Sequence, residues 1–364
     1  MNEVRVQILS AGFGDGHNSA ARALATALEN RARPDIYDPC AAGAPRINEA
    51  LRKIYRHITT HSPKLWHRIY RSTEAQDFSK KTLPFMRKPE RALSQRLLED
   101  PPDIIVTTYP LYPYFLDRHF EKNPRIPIVT IVTDSIEINA AWRKAPTDFW
   151  LVSDDFTRET LIQSGMPEKR VIVTGFPVSP KFEKLEILSS EAPLDPFRVL
   201  FFPTARKPLV RSYMRAVLDS SPQSEITVVL GRNVRKLYHP AREIKDAYPG
   251  RVRLVGWTTR VPELLCTHHL AIGKAGGATV HETLAACCPM LIHHLVPGQE
   301  EGNLALLQKI GGGQLTPGED DVKAALAALL KDDGALWRQQ KRQLAHHRKP
   351  AAARHAADFI LGQL

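Results

Sequence analysis

The sequence is poor in cysteine and has no apolar run long enough to cross a membrane. Its four cysteines, Cys40, Cys266, Cys287 and Cys288, have none of the CxxC or Cys/His spacings of a metal site or disulfide framework. A spanning helix needs about 20 apolar residues, and the longest candidate, 284–296, contains proline and histidine. The N-terminus resembles a strand rather than a signal peptide. These absences predict a cytoplasmic protein without a metal or a resident cofactor.

Positive charge is present in excess and is unevenly distributed. The 364 residues carry a formal net charge of +11, and residues 45–96 alone hold 13 lysines and arginines against four acidic residues. Such a patch suits nucleic acid, an anionic membrane or a phosphate-bearing substrate. It lacks the recognition helix or the interleaved aromatic and basic residues of nucleic-acid-binding modules, so we expect no nucleic-acid partner.

The basic segment is also amphipathic. Between residues 46 and 71, apolar side chains recur at helical spacing and cations occupy the other positions. Two interpretations remain open: the apolar stripe packs into the core, or the segment lies on an anionic leaflet. The second interpretation predicts a peripheral protein on the inner face of the cell membrane. Its candidate acceptor-side and membrane residues are Arg52, Lys53, Arg56, Lys64, Trp66 and Arg68.

Strands alternate with helices in two successive series. Short β-branched-rich runs bounded by Pro, Asp or Gly predict strands, and alanine- and leucine-rich segments between them predict helices. This alternation predicts an α/β fold with two Rossmann-like domains facing a cleft. We expect an N-terminal domain at 1–180, a Pro- and Ser-rich linker at 181–197, a C-terminal domain at 198–335 and a helical segment at 336–364.

A glycine-rich loop follows the first predicted strand, Val4–Ser10. Gly12, Gly14 and Gly16 precede a helix predicted to start at Asn18 or Ser19, and His17 stands at the turn. Glycines allow close approach of the backbone, and a helix N-terminus favours anions. The spacing is not G-x-G-x-x-G, which argues against a dinucleotide site. His17 is a candidate general base or phosphate ligand; otherwise it is a capping or exposed histidine.

A second glycine loop follows the predicted strand Leu270–Ile272. Gly276 and Gly277 open a helix whose free N–H groups would bind phosphate, with Thr279 adding a hydroxyl. Glu282 is placed to accept hydrogen bonds from a ribose; otherwise it is a first-turn glutamate that favours the helix dipole. The segment 297–303 (PGQEEGN) follows the next strand, and its Gln299 and Glu300 suit sugar hydroxyls, unless it is simply a turn and cap.

The two loops, GFGDGH and GKAGGATVHET…PGQEEGN, resemble glycosyltransferase family 28. The sequence is most similar to the monogalactosyldiacylglycerol synthases and processive diacylglycerol glucosyltransferases of that family, over most of residues 5–312. The resemblance implies a glycosyltransferase B-type fold, inversion at the sugar carbon, no required metal, and a UDP-sugar as co-substrate. It implies nucleotide-sugar contacts at Gly276, Gly277, Ala278, Thr279, Glu282, Gln299 and Glu300.

On the acceptor side the resemblance implies roles for His17, with Gly14 and Gly16, and for Thr133-Asp134 followed by Trp142. Asn139 stands where the family often has histidine. The first loop of the C-terminal domain, 203–208, lacks the usual glycines, and Arg206 is a candidate diphosphate ligand there. A single inversion needs a base and stabilisation of the leaving diphosphate. His17 and Asp134 are equal candidates for the base, although Asp134 could equally be a helix N-cap.

The predicted function is transfer of a hexose from a UDP-sugar to a lipid acceptor, most simply diacylglycerol, at a membrane surface. Three alternatives remain. One is a UDP-N-acetylglucosamine-dependent transferase acting on an undecaprenyl-linked or soluble acceptor. Another is a non-catalytic basic binding protein. The third is an epimerase of the same shape, which would need paired carboxylates near the sugar. The sequence does not distinguish glucose from galactose as the donor sugar.

Overall fold

A computed structural model describes residues 3–74, 76, 78–79, 82–204, 207–298 and 300–364. The chain divides into two compact units. The first unit contains Met1–Pro180, Val296–Gly302 and Pro350–Leu364, and the second contains Lys181–Leu295 and Asn303–Lys349. The segment 296–302, which lies within the second Rossmann-like series, and the C-terminal residues 350–364, which follow it, therefore belong to the N-terminal unit.

The first unit is a parallel sheet covered by helices. Its strands are β1 (Arg5–Leu9), β2 (Arg33–Tyr37), β3 (Ile104–Thr107), β4 (Ile128–Ile131), β5 (Phe149–Val152) and β6 (Val171–Val173). Its helices are α1 (Asp15–Leu28), α2 (Pro39–Gly43), α3 (Pro45–His61), α4 (Pro63–Glu74), α5 (Arg87–Glu99), α6 (Tyr112–Phe120), α7 (Ala140–Arg143), α8 (Asp155–Gln163) and, at the end of the chain, α15 (Ala352–Leu361). Short 3₁₀ turns cover Pro84–Met86, Glu168–Arg170 and Pro180–Glu183.

The strand order of this sheet, β2-β1-β3-β4-β5-β6, determines where a ligand would bind. The chain leaves β1 in one direction to form β2 and returns on the other side as β3, so the order reverses between β1 and β3. In open parallel sheets ligands bind at the carboxyl ends of the strands, beside such a reversal. The loops after β1 and β3 are thus the expected site of the first unit.

The second unit repeats this architecture. Its strands are β7 (Arg198–Phe201), β8 (Glu225–Val229), β9 (Val252–Val255), β10 (Leu270–Lys274), β11 (Met290–His294) and β12 (Gly313–Leu315). Its helices are α9 (Lys207–Ser220), α10 (Val234–Ala247), α11 (Val261–Thr267), α12 (Gly277–Ala285), α13 (Glu301–Lys309) and α14 (Glu319–His347); a 3₁₀ turn covers Gly231–Asn233, and α14 is broken at 331–334. The parallel order β12-β11-β10-β7-β8-β9 reverses between β7 and β10.

Each sheet is buried by side chains of its own unit. In the first unit, Val6, Ile8, Val106 and Val129 pack under α1 and under Ala356 and Ile360 of α15. In the second, Val199, Phe201 and Ile226 pack with α9, α10 and the long α14. Among the described residues, no helix is long and apolar enough to cross a membrane.

The observed elements agree with the sequence-based prediction of two parallel α/β halves, with differences at their ends. Helix α1 begins at Asp15, three or four residues before the predicted start, because Gly14 rather than Asn18 is its N-cap. The edge strands β2 and β12 were missed; β2 (RPDIY) is half-exposed and polar and β12 has three residues, so neither has a strong hydrophobic pattern. The predicted helical segment 336–364 is divided between the two units at Lys349.

Candidate active site

The first glycine loop turns from β1 directly into α1. Gly14, the N-cap of α1, has a φ of 95°, a left-handed conformation that favours glycine. Gly16 and His17 therefore lie in the first turn of the helix. This position directs the imidazole to the carboxyl end of β3, because the backbone of Thr108, the residue after β3, hydrogen-bonds to the ring.

His17 is enclosed by aromatic and hydroxyl groups. A hydrogen bond of 2.9 Å joins its Nδ1 to Oγ1 of Thr133, and the rings of Tyr109 and Trp142 lie 5.3 and 6.0 Å from the imidazole. Burial lowers the pKa of His17 to about 4, against the opposing effect of the hydrogen bond to Thr108. The imidazole is consequently uncharged at neutral pH, and it can donate or accept a hydrogen bond there without carrying a positive charge.

Asp134 follows β4 and lies beside this histidine pocket. The indole Nε1 of Trp142 donates a 2.7 Å hydrogen bond to its Oδ2. Burial raises the pKa of Asp134 to about 6; the Trp142 bond opposes this shift, and the charge of Glu300 adds to it. The carboxyl group is therefore mostly ionised at pH 7 but binds a proton more tightly than an ordinary aspartate, as a general base should. The alternative role of Asp134 as a helix N-cap is taken by Asn139.

Helix α7, which carries Trp142, is fixed from both sides. Asn139 caps it by accepting a hydrogen bond from Ala141 N (2.9 Å), and its amide nitrogen donates to Thr73 Oγ1 on α4 (3.0 Å). Glu74, at the end of α4, accepts from Ala140 N (3.0 Å) and pairs with Arg143 (2.9 Å). Asn139, which stands where the family often has histidine, thus links α4 to α7, and Trp142 of α7 holds Asp134 in place.

The segment Val296–Gly302 packs on the first unit. Gly298 has a φ of 81°, and a Cβ on it would lie 2.5 Å from Cδ1 of Tyr70 on α4. A Cβ on Gly302 would overlap the carbonyl oxygen of Ser135. Glu300 is 4% exposed, and its Oε2 accepts a 3.0 Å hydrogen bond from Val296 N. Glu300, a predicted sugar ligand, thus lies in the same unit as Asp134, and its charge contributes to the raised pKa of that carboxyl group. Its predicted neighbour Gln299 lies outside the described residues.

Helix α3 covers the outer side of the first glycine loop. The guanidinium carbon of Arg52 lies 2.7 Å from where a Cβ on Gly12 would be, and the Tyr55 hydroxyl lies 3.9 Å from the corresponding point on Gly14. The rings of Tyr55 and Trp66 pack edge-to-face at 4.9 Å, which joins α3 to α4. Of the predicted acceptor-side residues, Arg52 and Trp66 therefore pack inward at the loop.

The remaining predicted membrane residues, Lys53, Arg56, Lys64 and Arg68, are exposed on α3 and α4. Four apolar side chains of the stripe are exposed as well: Ile47 is 44%, Ile54 53%, Leu65 48% and Ile69 38% accessible. The others are half-buried: Leu51, Tyr55, Ile58, Trp66 and Tyr70. All twelve residues of α4 are described, and none of them is buried. The interpretation in which this stripe packs into the core is therefore wrong for these four side chains. We call the exposed apolar and cationic side chains of α3 and α4 the basic–apolar face.

The second glycine loop is open. Gly276, with a φ of −71°, is the N-cap of α12, and within the described residues no side chain caps this helix end. Gly276, Gly277, Ala278 and Thr279 are half-buried, and Glu282 is half-buried one turn later. The first N–H groups of a helix have no intrahelical partner. This loop lies beside the order reversal of β7 and β10, so its N–H groups are at the expected ligand site.

Two further features of the second unit were not predicted as functional. The side-chain amide of Asn303, the last residue of the PGQEEGN segment, donates a 3.0 Å hydrogen bond to the carbonyl of Ala275 and fixes the base of the loop. Trp257, which follows β9, is 64% exposed. Exposed Lys274 is the last residue of β10, and exposed Lys207 and Arg232 follow β7 and β8, so the three cations lie at the same edge of the sheet. Arg206 lies outside the described residues. Within those ranges, no cluster of three or more metal-ligating side chains occurs.

Comparison with known proteins finds sequence similarity to lipid glycosyltransferases. Residues 17–178, a little under half of the chain, match the model of the monogalactosyldiacylglycerol synthase family. Processive diacylglycerol beta-glucosyltransferases of Bacillus cereus and Bacillus anthracis are each 25% identical to it, over 99% of this chain and 94% of the relative.

Solved structures share the fold at lower sequence identity. Acinetobacter baumannii MurG superposes with a TM-score of 0.64 at 14% identity, over 99% of both chains. A UDP-GlcNAc 2-epimerase from Neisseria meningitidis, bound to UDP-GlcNAc, superposes with a TM-score of 0.63 at 11% identity, also over 99% of both chains. The structural likeness therefore establishes the B-type fold, which transferases and epimerases share. With the sequence matches, it confirms that this chain resembles glycosyltransferase family 28 and, within it, the enzymes that glycosylate diacylglycerol.

Proposed function

We propose that the protein transfers a hexose from a UDP-sugar to a lipid hydroxyl, most simply that of diacylglycerol, at an anionic membrane surface. The proposal rests on two groups, one in each unit, that lie at the carboxyl ends of the strands. The first unit presents a buried carboxyl group with a raised pKa beside a neutral histidine, and the second presents an uncapped helix N-terminus. A proton acceptor and an anion site are what a single displacement at a sugar phosphate requires.

In this proposal the second unit binds the donor. The N–H groups of Gly277, Ala278 and Thr279 hydrogen-bond the diphosphate, and the dipole of α12 stabilises its charge. Glu282 accepts hydrogen bonds from the ribose hydroxyls, and the exposed ring of Trp257 is available to stack on the base. Lys274, Lys207 and Arg232 add positive charge around the departing UDP. Together these groups stabilise the negative charge of the leaving UDP, which a metal ion stabilises in other transferases.

We propose Asp134 as the general base. Its raised pKa, about 6, is closer to neutral pH than the pKa of His17, about 4, so the carboxylate accepts a proton more readily. Asp134 removes the proton of the acceptor hydroxyl while that oxygen bonds to the sugar C1, and the bond from C1 to the phosphate oxygen breaks. Attack opposite to the leaving UDP inverts the configuration at C1. His17 positions the acceptor or a phosphate oxygen by hydrogen bonding.

The basic–apolar face is the proposed membrane contact. Its four aliphatic side chains are about half exposed, so burying the exposed part gains about 1 kcal/mol each, and each nearby cation adds about 1 kcal/mol on an anionic leaflet. The face is formed by the same helices that cover the first glycine loop, through Arg52 and Tyr55. A lipid acceptor would therefore approach His17 and Asp134 from the bilayer. The proposed location is peripheral, on the inner face of the cell membrane.

A panel of UDP-sugars tests the proposal. Purified protein is incubated with each UDP-sugar and anionic vesicles containing diacylglycerol, and released UDP and glycolipid are measured together. We expect equal amounts of UDP and of glycosylated diacylglycerol with one or two hexose donors. Neutral vesicles should support slower turnover. Epimerised UDP-sugar without acceptor, or UDP release only with an undecaprenyl-linked acceptor, would refute the proposal in favour of one of the alternatives.

A further inference from the structure

Helix α12, whose first N–H groups form the proposed diphosphate site, ends in a Schellman motif. The N–H of Cys287 donates to the carbonyl of Leu284 at 3.1 Å, which is one bond of the motif. The N–H of Cys288 donates to the carbonyl of Thr283 at 2.9 Å, which is the other. The motif requires a left-handed residue, normally glycine, and here Cys287 takes that conformation with a φ of 49°. The carbonyls of Ala285 and Cys287 take no part in the motif and need partners from outside the helix.

Two cations at the end of α14 provide these partners. Nζ of Lys341 donates a 2.9 Å hydrogen bond to the carbonyl of Cys287. Nε of Arg348, the residue directly after α14, donates a 3.2 Å hydrogen bond to the carbonyl of Ala285. Lys341 is 3% exposed, and the centroid of the Trp337 ring lies 5.6 Å from its Nζ. Cations are favourable at the carboxyl end of a helix, because the carbonyls there carry partial negative charge.

The same part of α14 also holds the strand that precedes the second glycine loop. The indole N–H of Trp337 donates a 2.7 Å hydrogen bond to the carbonyl of His269, the residue directly before β10. Strand β10 leads to Gly276 and Gly277, and α12 follows them. Helix α14 therefore fixes this strand–loop–helix unit at both of its outer ends. Because α12 has nine residues, about 13 Å, and a helix of that length is unstable alone, its position depends on such contacts.

We infer that Lys341 and Arg348 are positioning residues for the donor diphosphate. They hold the carboxyl end of α12 and offset its partial negative charge, so that the N–H groups at the opposite end bind an anion more strongly. The burial of Lys341 limits the screening of its charge by water and salt over the length of this short helix. The inference rests on the proposed function, because it assumes that the diphosphate binds at the first turn of α12.

The experiment compares UDP with uridine, which lacks the diphosphate, on the full chain. The Kd for UDP is measured by calorimetry, and that for uridine by competition against UDP. Lys341→Met keeps an unbranched apolar side chain but removes the charge and the hydrogen-bond donor. We expect it to raise the Kd for UDP about threefold to tenfold and the Kd for uridine less than about twofold. The matched control is Arg342→Met, which removes a cation of the same helix that pairs with Glu191 and should leave both values unchanged.

A second pair of variants separates the charge from the hydrogen bond. Arg348→Gln keeps a donor for the carbonyl of Ala285 but loses the charge, so the Kd for UDP should rise about threefold. Arg348→Lys keeps the charge and should retain the UDP affinity of the wild type within about 1.5-fold. Arg348 is only half-buried, so both variants should fold, and they carry the test if Lys341→Met is too unstable to purify.

The ratio of the two dissociation constants distinguishes positioning of the diphosphate site from general support of the fold. If the Kd for uridine rose as much as the Kd for UDP, the cations would support the whole unit, and the inference would be overturned. Unchanged UDP affinity in the folded charge-removing variants would overturn it as well, while leaving the proposed transfer intact. Failure of the wild type to bind UDP would instead refute the proposed function, and this inference with it.

Discussion

The two glycine loops share the same local structure but differ in their exposure to solvent. Each follows a parallel strand beside the order reversal of its sheet and leads into a helix. The first loop is covered: Arg52 and Tyr55 lie over its glycines, and its histidine is buried with a pKa of about 4. The second loop is half-exposed, and in the described chain its helix end carries no side-chain cap. An enclosed loop can change the protonation of its side chains, whereas an open one offers backbone N–H groups to an anion.

This difference predicts that substitutions separate turnover from nucleotide affinity. Changes around the first loop should reduce the rate while UDP binding persists, and changes around the second should weaken UDP binding. A variant that reduces turnover and UDP affinity equally would contradict this division of roles between the two loops.

The largest expected effect is that of Asp134→Asn. The amide can still accept from Trp142, so the local structure should persist, but it cannot take the acceptor proton. We expect turnover to fall about 10²–10⁴-fold, with UDP affinity by calorimetry unchanged within about twofold. The turnover of His17→Gln should fall less, about 10–100-fold, because the glutamine side chain partly retains the hydrogen-bonding role. If His17→Gln were the more damaging of the two, the histidine would be the base.

Glu282→Ala should have the next largest effect, on the open loop. Loss of two hydrogen bonds to a carboxylate costs about 1.5–3 kcal/mol for each bond, less what water restores, so we expect the Kd for UDP to rise about 10–100-fold. The matched control is Glu243→Ala, which removes an exposed carboxylate of the same unit that pairs with Arg211. Unchanged UDP affinity in Glu282→Ala would remove the ribose assignment.

A smaller effect should follow from changes to the basic–apolar face. Leu65→Ser removes an exposed leucine of α4, and Leu98→Ser removes one that is 62% exposed near the end of α5. If α4 contacts the bilayer, Leu65→Ser should weaken binding to anionic vesicles, measured by sedimentation, about fivefold, because about 1 kcal/mol of apolar burial is lost. Leu98→Ser should leave it unchanged. Equal losses of vesicle binding in both variants would indicate nonspecific hydrophobic adsorption rather than a defined membrane face.

The sequence predicted the fold well because alternating buried strands and helices are encoded locally. The strands predicted at Val4–Ser10 and Leu270–Ile272 are observed at Arg5–Leu9 and Leu270–Lys274, since hydrophobic pattern and flanking breakers determine them. The weak edge strands were missed for the same reason. The glycine loops were recognisable from Gly14, His17, Gly276 and Gly277, because glycines between a strand and a helix indicate a close approach of the backbone to a ligand.

The environment of the candidate base was not predictable in this way. The grouping of Glu300 with Asp134 in the first unit depends on the segment Val296–Gly302, which follows a strand of the second unit in the sequence. The capping of α7 by Asn139 and the exposure of Leu65 and Ile69 likewise depend on tertiary packing, which helical spacing alone does not determine. Gly298 and Gly302 were the available signal: two glycines four residues apart in a polar segment suggest close backbone contacts, although not with which neighbours.

An effect on stability, rather than on activity or binding, provides an independent check of the buried pocket beside the first loop. The pKa of Asp134 is about 6 in the folded protein, above the ordinary value of 3.8. The folded state therefore binds the proton more tightly than the unfolded chain, and stability from this group is lost as pH rises from about 4 to about 6. Asp134→Asn should remove this loss and unfold at a higher temperature than the wild type at pH 8, by about 1–3 kcal/mol in free energy. The two proteins should converge near pH 4. The lowered pKa of His17 destabilises both proteins below about pH 6.5 alike, so it cancels in the difference. A difference that does not vary with pH would show that Asp134 titrates as an ordinary aspartate, and the contrast between the two loops would then rest on geometry alone.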